Sequence, residues 1–265
     1  MALLLHISDT HFGTEQPHVV RALLELAHRR RPDLLVYSGD MTQRARRDEF
    51  DAARAFCREL AIARTLTLPG NHDIPLFDVV QRAFRPYARY LAAFGPRLES
   101  CLDMDGFLVV GVNTTRPARH KNGEVSPAQV ERVAHQLHGT RANQLRIVVT
   151  HQPAAVLREE DEHDRLIGAD AALEAWSRAG ADLVLGGHIH LPYVTEVAAP
   201  RPLWVVQAGT AVSSRIRHGT CNSVNFVEWK PQPGGRRQCR VERWDYRPDD
   251  GAFGMVDERG LMLGT

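Results

Sequence analysis

Short apolar runs alternate with longer amphipathic stretches through the first half of the chain. Runs at residues 2–8, 33–38 and 64–69 have the length of buried β-strands. The segments between them, at about 17–31 and 49–61, place their apolar residues at helical spacing. Strands that alternate with helices are typical of parallel βαβ units, in which helices cover the sheet. The first half therefore predicts an α/β fold.

The second half of the chain has a different pattern. Beyond Pro75 lies a stretch of helical character that Pro86 interrupts, and further apolar runs and helical segments follow at 107–113, 126–138, 145–151, 164–179 and 181–187. From Leu191 onward four short strands follow one another closely, which predicts antiparallel strands that complete a second sheet. Residues after Arg247 have no strong period, and we expect them to lie on the surface as a tail.

The chain has no internal repeat, low-complexity segment or Gly/Ser linker that would divide it. Its 265 residues can bury one core of full size. We therefore expect a single domain over residues 1–265, with a core at 1–246 and a C-terminal tail at 247–265. A sandwich of two sheets fits the order of the strands.

Composition narrows the classes of partner. Hydrophobic residues make up 43% of the chain, charged residues 25%, and the net charge is +1, so neither nucleic acid nor a membrane is expected as a partner. The first residues, MALLLHISD, lack a basic region and a long apolar run, which favours a buried strand over a signal peptide. Four scattered cysteines without a CxxC pair favour free thiols and a cytoplasmic location.

Five apolar runs end in residues of the kinds that bind metals, and 13 histidines make such a search worthwhile. These residues are, in chain order, Asp9 and His11, then Asp40, then Asn71, His72 and Asp73, then His151, and finally His188 and His190. In open α/β sheets, ligands bind at the carboxyl ends of the strands. We therefore expect the five motifs to converge on one site.

The mixture of side chains indicates the kind of metal. Imidazole and carboxylate suit zinc, manganese and iron, and the lack of thiolates argues against a structural zinc site. Asp9 and His11 are separated by one residue, as are His188 and His190, so in an extended chain each pair would point the same way. Each motif alone has a plain structural interpretation, such as a turn or a hydrogen-bonded core histidine. The five together, each behind a strand, indicate a metal centre.

The motifs Asp-x-His, Gly-Asp, Gly-Asn-His-Asp, a lone His before x-Pro, and Gly-His-x-His resemble those of the calcineurin-like metallophosphoesterase superfamily, in the same order. The resemblance runs from Leu3 to about Tyr193, and more loosely to about Tyr246. It implies a four-layer α/β/β/α sandwich of two mixed β-sheets flanked by helices. It also implies two divalent or trivalent metal ions (manganese, iron or zinc) at the strand ends.

The resemblance assigns roles residue by residue. Asp9, His11 and His190 would hold the first ion; Asn71, His151 and His188 would hold the second; and Asp40 would bridge both. His72 would not bind a metal but would face the scissile phosphate. His72 and Asn71 are thus the candidate catalytic residues, and both would contact substrate.

A finer resemblance concerns the branch of the superfamily. Ser/Thr protein phosphatases carry GDxVDRG, whereas this chain reads GDMTQRA, with Gln43 where their aspartate would stand. The aromatic residue and histidine that repair nucleases place after Gly-Asp are also missing here. The GDxTQ pattern is similar to that of class III cyclic-nucleotide phosphodiesterases. This implies hydrolysis of a small-molecule phosphodiester, such as a 3′,5′-cAMP-like cyclic nucleotide, by in-line attack of a metal-bridging hydroxide.

Several alternatives stay open. A phosphomonoesterase or a nuclease could use the same metal site, and a scaffold of the same fold without activity is a third interpretation, against which the complete ligand set argues. Arg215, Arg217 and His218 could approach the substrate phosphate or form a surface turn, and Arg215 is retained as a substrate-binding candidate. His163, in REEDEHDR, is expected on a solvated acidic face. The native metal and the existence of a homo-oligomer are not decided by the sequence.

Overall fold

The structure is a computed structural model, and it describes residues 1–141, 143–231 and 237–264. Two six-stranded sheets pack face to face within these residues. The first sheet contains Ala2–Ile7 (β1), Leu34–Tyr37 (β2), Arg64–Thr67 (β3), Ser223–Trp229 (β10), Gln238–Arg247 (β11) and Ala252–Met262 (β12). The second contains Cys101–Met104 (β4), Phe107–Gly111 (β5), Leu145–Val149 (β6), Leu183–Gly186 (β7), Tyr193–Val197 (β8) and Leu203–Gln207 (β9).

Both sheets are mixed. In the first, the order is β12-β11-β10-β1-β2-β3, with β1, β2 and β3 parallel and the other three strands antiparallel. In the second, the order is β4-β5-β6-β7-β9-β8, with β5, β6, β7 and β9 parallel and an antiparallel strand at each edge. The carboxyl ends of the parallel strands are where ligand-binding loops are expected.

Helices cover the outer face of each sheet. The described helices are Pro17–Arg30 (α1), Arg47–Leu60 (α2), Val79–Phe84 (α3), Ala88–Phe94 (α4), Pro127–His138 (α5) and Ala169–Arg178 (α6), of which α3 buries no residue, and 3₁₀ turns lie at Asn71–Asp73 and Glu159–Asp164. α1, α2 and α4 pack on the first sheet, and α5 and α6 pack on the second. Among the described residues, none of the helices has the length and apolar character needed to span a bilayer.

The alternation of side chains along β1 shows how the layers are built. Leu3, Leu5 and Ile7 pack under the helices, whereas Leu4 lies in the core between the two sheets. Both sets are apolar, so the strand is buried on both faces, as expected for a strand in the interior of a layered α/β fold. The four-layer α/β/β/α sandwich predicted from the sequence is confirmed.

Two local predictions were wrong. β10 and β11 pair beside β1 and extend the first sheet, so they do not complete the second. The segment expected as a surface tail contains β12, an edge strand that pairs with β11. Its alternation was hidden because the register shifts at a bulge, where Arg243 pairs with Asp257 and Trp244 with Met255.

Two further differences concern the second sheet and its helices. The edge strand β4 was not predicted, because CLDM buries few of its side chains and has no apolar period. The helix expected over 164–179 begins only at Ala169, after the acidic 3₁₀ turn and a glycine with a left-handed backbone, Gly168.

Candidate metal centre

The five motifs lie in the loops after β1, β2, β3, β6 and β7, so they come from both sheets. Backbone hydrogen bonds join these loops to one another. The amide of Asp9 donates to the carbonyl of Gly39 at 3.0 Å, and the amide of Gly187 donates to the carbonyl of His151 at 2.9 Å. The carboxyl ends of the parallel strands therefore converge on one shared edge, as predicted.

The backbone of these loops is strained. Eight residues other than glycine have a positive φ in the part of the chain that the structure describes, and five of them belong to the motifs. Those five are Asp9 (53°), His11 (42°), Asp40 (49°), His188 (77°) and His190 (57°). Left-handed backbone costs a side-chain-bearing residue about 1–3 kcal/mol and is concentrated at functional sites. Asp9 and His11 thus face one site because the chain turns, and not because an extended strand alternates.

Two glycines make room for this arrangement. A Cβ atom on Gly70 would overlap Asp40, and one on Gly187 would overlap Ser8 and Asp9. The backbone at these positions runs directly against the carboxylates, which leaves no space for any side chain.

The described residues contain overlapping groups of three side chains, and within each group the potential ligand atoms lie within 4.8 Å of one another. The groups are Asp9 with His11 and His190, His11 with Asp40 and His72, and Asp40 with His151 and His188. The two oxygens of Asp40 face in different directions. Its Oδ2 lies 3.7 Å from Nε2 of His11, and its Oδ1 lies 3.3 Å from Nε2 of His151. Asp40 therefore stands between two clusters of imidazoles.

Each cluster is compact. On the first side, Nε2 of His190 lies 3.3 Å from Oδ1 of Asp9 and 3.1 Å from Nε2 of His11. On the second side, Oδ1 of Asn71 lies 3.2 Å from Nε2 of His151. The structure thus brings together all seven residues that the resemblance implied as metal ligands.

Unpartnered polar atoms show that these residues fit metal ions. Oδ1 of Asp9 and both ring nitrogens of His188 are buried without a hydrogen-bond partner. Buried polar atoms are rarely left in this state because losing water without gaining a partner is costly. A cation on each side of Asp40 would satisfy these nitrogen and oxygen donors, which suit manganese, iron or zinc.

Burial and charge act together on the titratable groups. Burial would raise the pKa of Asp9, but the imidazoles of His190 and His151 hold that pKa below its ordinary value. Burial lowers the pKa of His11 to about 3, so its ring is neutral and able to ligate at neutral pH. Burial would lower the pKa of His151, but the negative charge of Asp40 outweighs the effect of burial and raises this pKa to about 9. A metal ion must therefore displace a proton from His151.

Hydrogen bonds to backbone carbonyls orient two of the imidazoles. Nδ1 of His151 donates to the carbonyl of Ser38 at 2.9 Å, so Nε2 faces Asp40. Nδ1 of His72 donates to the carbonyl of Gln43 at 2.9 Å. Because a carbonyl can only accept, Nε2 is the nitrogen of His72 that remains for the substrate.

Arg215 also lies at the site. Its Nη1 is 3.2 Å from Nε2 of His72 and 3.3 Å from Nδ1 of His11, and it donates to Oε1 of Gln43 at 2.9 Å. Arg217 does not share this position, because it pairs with Asp161 at 2.7 Å. His218 is exposed on the surface.

Two acidic residues have roles that the sequence did not indicate. Asp73, buried completely, accepts hydrogen bonds from the amides of Met41, Thr42 and Gly70 and so joins two motif loops. Only its place in Gly-Asn-His-Asp could have indicated this. Asp164 follows His163, which is exposed as expected on the acidic segment, but Asp164 itself is buried, with its Oδ1 3.7 Å from Nε2 of His188.

Comparison with known families supports the geometry. The family model described as calcineurin-like phosphoesterase matches residues 2–192. A probable cyclic nucleotide phosphodiesterase from Rhodococcus erythropolis is 26% identical over 206 residues, which cover 71% of this chain and 64% of that protein. Glycerophosphodiester phosphodiesterase GpdQ from Enterobacter lignolyticus is 36% identical over 83 residues, covering 27% of this chain and 29% of that protein.

Among solved structures, purple acid phosphatase PPD1 from yellow lupin seeds superposes with a TM-score of 0.74 at 11% identity, and the match covers 98% of this chain and 53% of that one. This similarity concerns the fold alone. In each of these three comparisons, the match spans less than two thirds of the other protein's length.

Proposed function

The chain belongs to the calcineurin-like phosphoesterase family, and from that premise we propose that it is a binuclear metal-dependent phosphodiesterase acting on a small-molecule phosphodiester. A 3′,5′-cAMP-like cyclic nucleotide is the proposed substrate. The observation that carries this proposal is Asp40, whose two carboxylate oxygens face separate clusters of buried imidazoles. A carboxylate placed in this way suits a bridge between two cations.

The proposed ligands follow from the two clusters. Asp9, His11 and His190 would hold the first ion, Asn71, His151 and His188 the second, and Asp40 would bridge them. When bound, two such ions supply Lewis-acid charge that activates water and neutralises phosphate oxygens. The amide nitrogen of Asn71 is free to donate to the phosphate, because its Oδ1 is directed at His151.

His72 is the proposed general acid. Its Nδ1 proton is held by the carbonyl of Gln43, so the proton for the leaving alkoxide would come from Nε2. In the structure, Nε2 instead faces the guanidinium of Arg215, which can only donate. For His72 to carry the Nε2 proton, Arg215 must turn away.

The same reasoning applies to His11. If Nε2 of His11 binds an ion, its Nδ1 carries the proton and no longer accepts from Arg215. With metal ions bound, Arg215 would therefore lose His72 and His11 as hydrogen-bond acceptors and keep Gln43. We propose that the guanidinium then binds the substrate phosphate, for which its planar donors are well suited.

A cavity of about 130 Å³ adjoins His72 and offers space for an organic leaving group. Its walls include Gln43, Arg44, Phe77 and His120, and the guanidinium of Arg44 lies over the Phe77 ring, 5.3 Å from its centroid. A cavity on the side of the proposed general acid would receive the leaving group. A larger groove of about 790 Å³ beside α2 and α3 contains none of the proposed ligands.

The proposal places the protein in the cytoplasm with a small molecule as its partner. The four cysteines, Cys57, Cys101, Cys221 and Cys239, are free thiols, which supports a reducing compartment.

A substrate panel with added manganese tests the activity. The panel contains 3′,5′- and 2′,3′-cyclic nucleotides, bis-nitrophenyl phosphate, nitrophenyl phosphate and single-stranded DNA. We expect turnover of the diesters, including a 3′,5′-cyclic nucleotide, and loss of that turnover in Asp40→Ala, which controls for contaminating enzymes. Activity on the monoester alone, or on DNA alone, would contradict the proposal.

A further inference from the structure

The acidic 3₁₀ turn Glu159–Asp164 packs against the loop that carries His188 and His190. Two of its side chains are buried, with exposures of 4% for Asp161 and 6% for Asp164. Asp161 pairs with Arg217 at 2.7 Å, and Arg217 in turn lies 3.5 Å from the carbonyl of Ile189. Asp161 and Asp164 therefore form part of the wall of the metal centre, whereas the other four residues of the turn are exposed.

His188 needs a partner for its ring. Its backbone amide donates to Oδ2 of Asp9 at 2.9 Å, which fixes the main chain but does not set the orientation of the imidazole. Both ring nitrogens are buried without a hydrogen bond. The acidic turn contributes one nearby acceptor, since Oδ1 of Asp164 lies 3.7 Å from Nε2.

We infer that Asp164 is a positioning residue for His188. Its carboxylate accepts a hydrogen bond from Nε2 of His188, so that Nδ1 is the nitrogen left to bind the second ion. This inference rests on the proposed function. A metal-binding histidine commonly donates its other ring N–H to a carboxylate, which fixes both tautomer and orientation. The present distance exceeds a hydrogen bond by less than about 1 Å, which a small rotation of the ring would close.

Asp164 is unsuited to be a ligand itself. The ammonium of Lys121 lies 2.6 Å from its Oδ1 and donates to its Oδ2 at 2.9 Å, and Nε2 of His163 lies 3.2 Å from Oδ2. A metal ion on the same carboxylate would be repelled by this ammonium at short range. Asp164 therefore acts through His188.

Manganese titration of the metal-free full chain tests the inference, with calorimetry to measure each affinity and electron paramagnetic resonance to detect paired ions. We expect two ions in the wild type. Asp164→Ala should weaken one of them by about 10–100-fold and leave the other unchanged. Asp164→Asn should recover part of the loss, because its amide oxygen can still accept from Nε2.

Two control variants separate positioning from anchoring of the turn. Lys121→Met removes the ion pair that holds Asp164, and Asp170→Ala removes an exposed acid in α6 that pairs with Arg165. Both should keep two ions at wild-type affinity. Wild-type affinities in Asp164→Ala, equal weakening of both ions, or the same loss in Lys121→Met would each overturn the inference. A wild-type chain that binds no manganese would overturn the proposed function as well, and is recognised without any substitution.

Discussion

His72→Ala should slow hydrolysis according to how much the leaving group needs a proton. The Nδ1 of the side chain donates to the carbonyl of Gln43 at 2.9 Å, and its Nε2 faces the guanidinium of Arg215 at 3.2 Å. The backbone amide of residue 72, which donates to Oδ1 of Asp40 at 2.8 Å, is retained in the alanine variant. The substitution therefore removes the acid without freeing the proposed bridging carboxylate.

The expected magnitude follows from the leaving group. A cyclic nucleotide leaves through an alkoxide, for which general-acid catalysis contributes about 10²–10⁴-fold, or about 3–5 kcal/mol of barrier. A nitrophenolate leaves without a proton, so bis-nitrophenyl phosphate should lose far less. The prediction is thus a ratio of the kcat values of one variant on two substrates. This ratio does not depend on the fraction of active protein in a preparation.

Steady-state kcat for the two diesters, at saturating manganese, measures this ratio. His120→Ala is the matched control, because His120 lines the same cavity without lying in any of the metal-ligand groups. We expect it to affect KM and to leave the ratio of kcat values unchanged. Equal slowing of both diesters by His72→Ala would refute the general-acid role.

Further predictions concern substrate binding, the loop backbone and acid stability. Arg215→Ala should lower kcat/KM for a diester by about 10–150-fold, the range for one hydrogen bond to a charged group, and Arg215→Lys should restore only part of it. Gly187→Ala should destabilise the protein by about 1–3 kcal/mol in urea melts, because its Cβ meets Ser8 and Asp9, whereas Gly139→Ala, whose Cβ has no neighbour nearer than 3.8 Å, should not. Burial lowers the pKa of His6 to about 3, so the unfolded chain binds its proton first and stability falls as pH drops below about 6.5. His6→Gln removes this pH dependence, so between pH 7 and pH 5 the free energy of unfolding of the metal-free variant should fall by about 2 kcal/mol less than that of the wild type. Equal losses of stability in both proteins would contradict the assignment.

The sequence predicted the parts of the fold that have a strong hydrophobic period. β1 and α1 bury regular sets of apolar side chains, and both were placed within one residue at each end. β12 escaped prediction because a bulge interrupts its alternation, and backbone pairing with β11 stabilises it at the sheet edge. Pairing partners of this kind are set by tertiary contacts that no local pattern records.

The metal centre was predictable for a different reason. Its residues are polar side chains directly after apolar runs, so the strand order and the packing of the two sheets bring Asp9, Asp40 and His151 together. Asp164 could not be found in this way, and Arg215 was named only as one of several residues of its loop that could approach the substrate phosphate. They reach the site from an acidic turn and a loop, and only the folded chain shows which charged residue of a surface-like segment is buried against an imidazole.

The central claim is that Asp40 joins two ions whose joint presence permits phosphodiester hydrolysis. Titrating metal-free protein with manganese while following hydrolysis of a 3′,5′-cyclic nucleotide tests it most directly. The account predicts little activity up to one ion per chain and a rise that ends at two, with Asp40→Ala inactive throughout. Full activity with one ion per chain, or a chain that holds two ions and cleaves no diester, would contradict it.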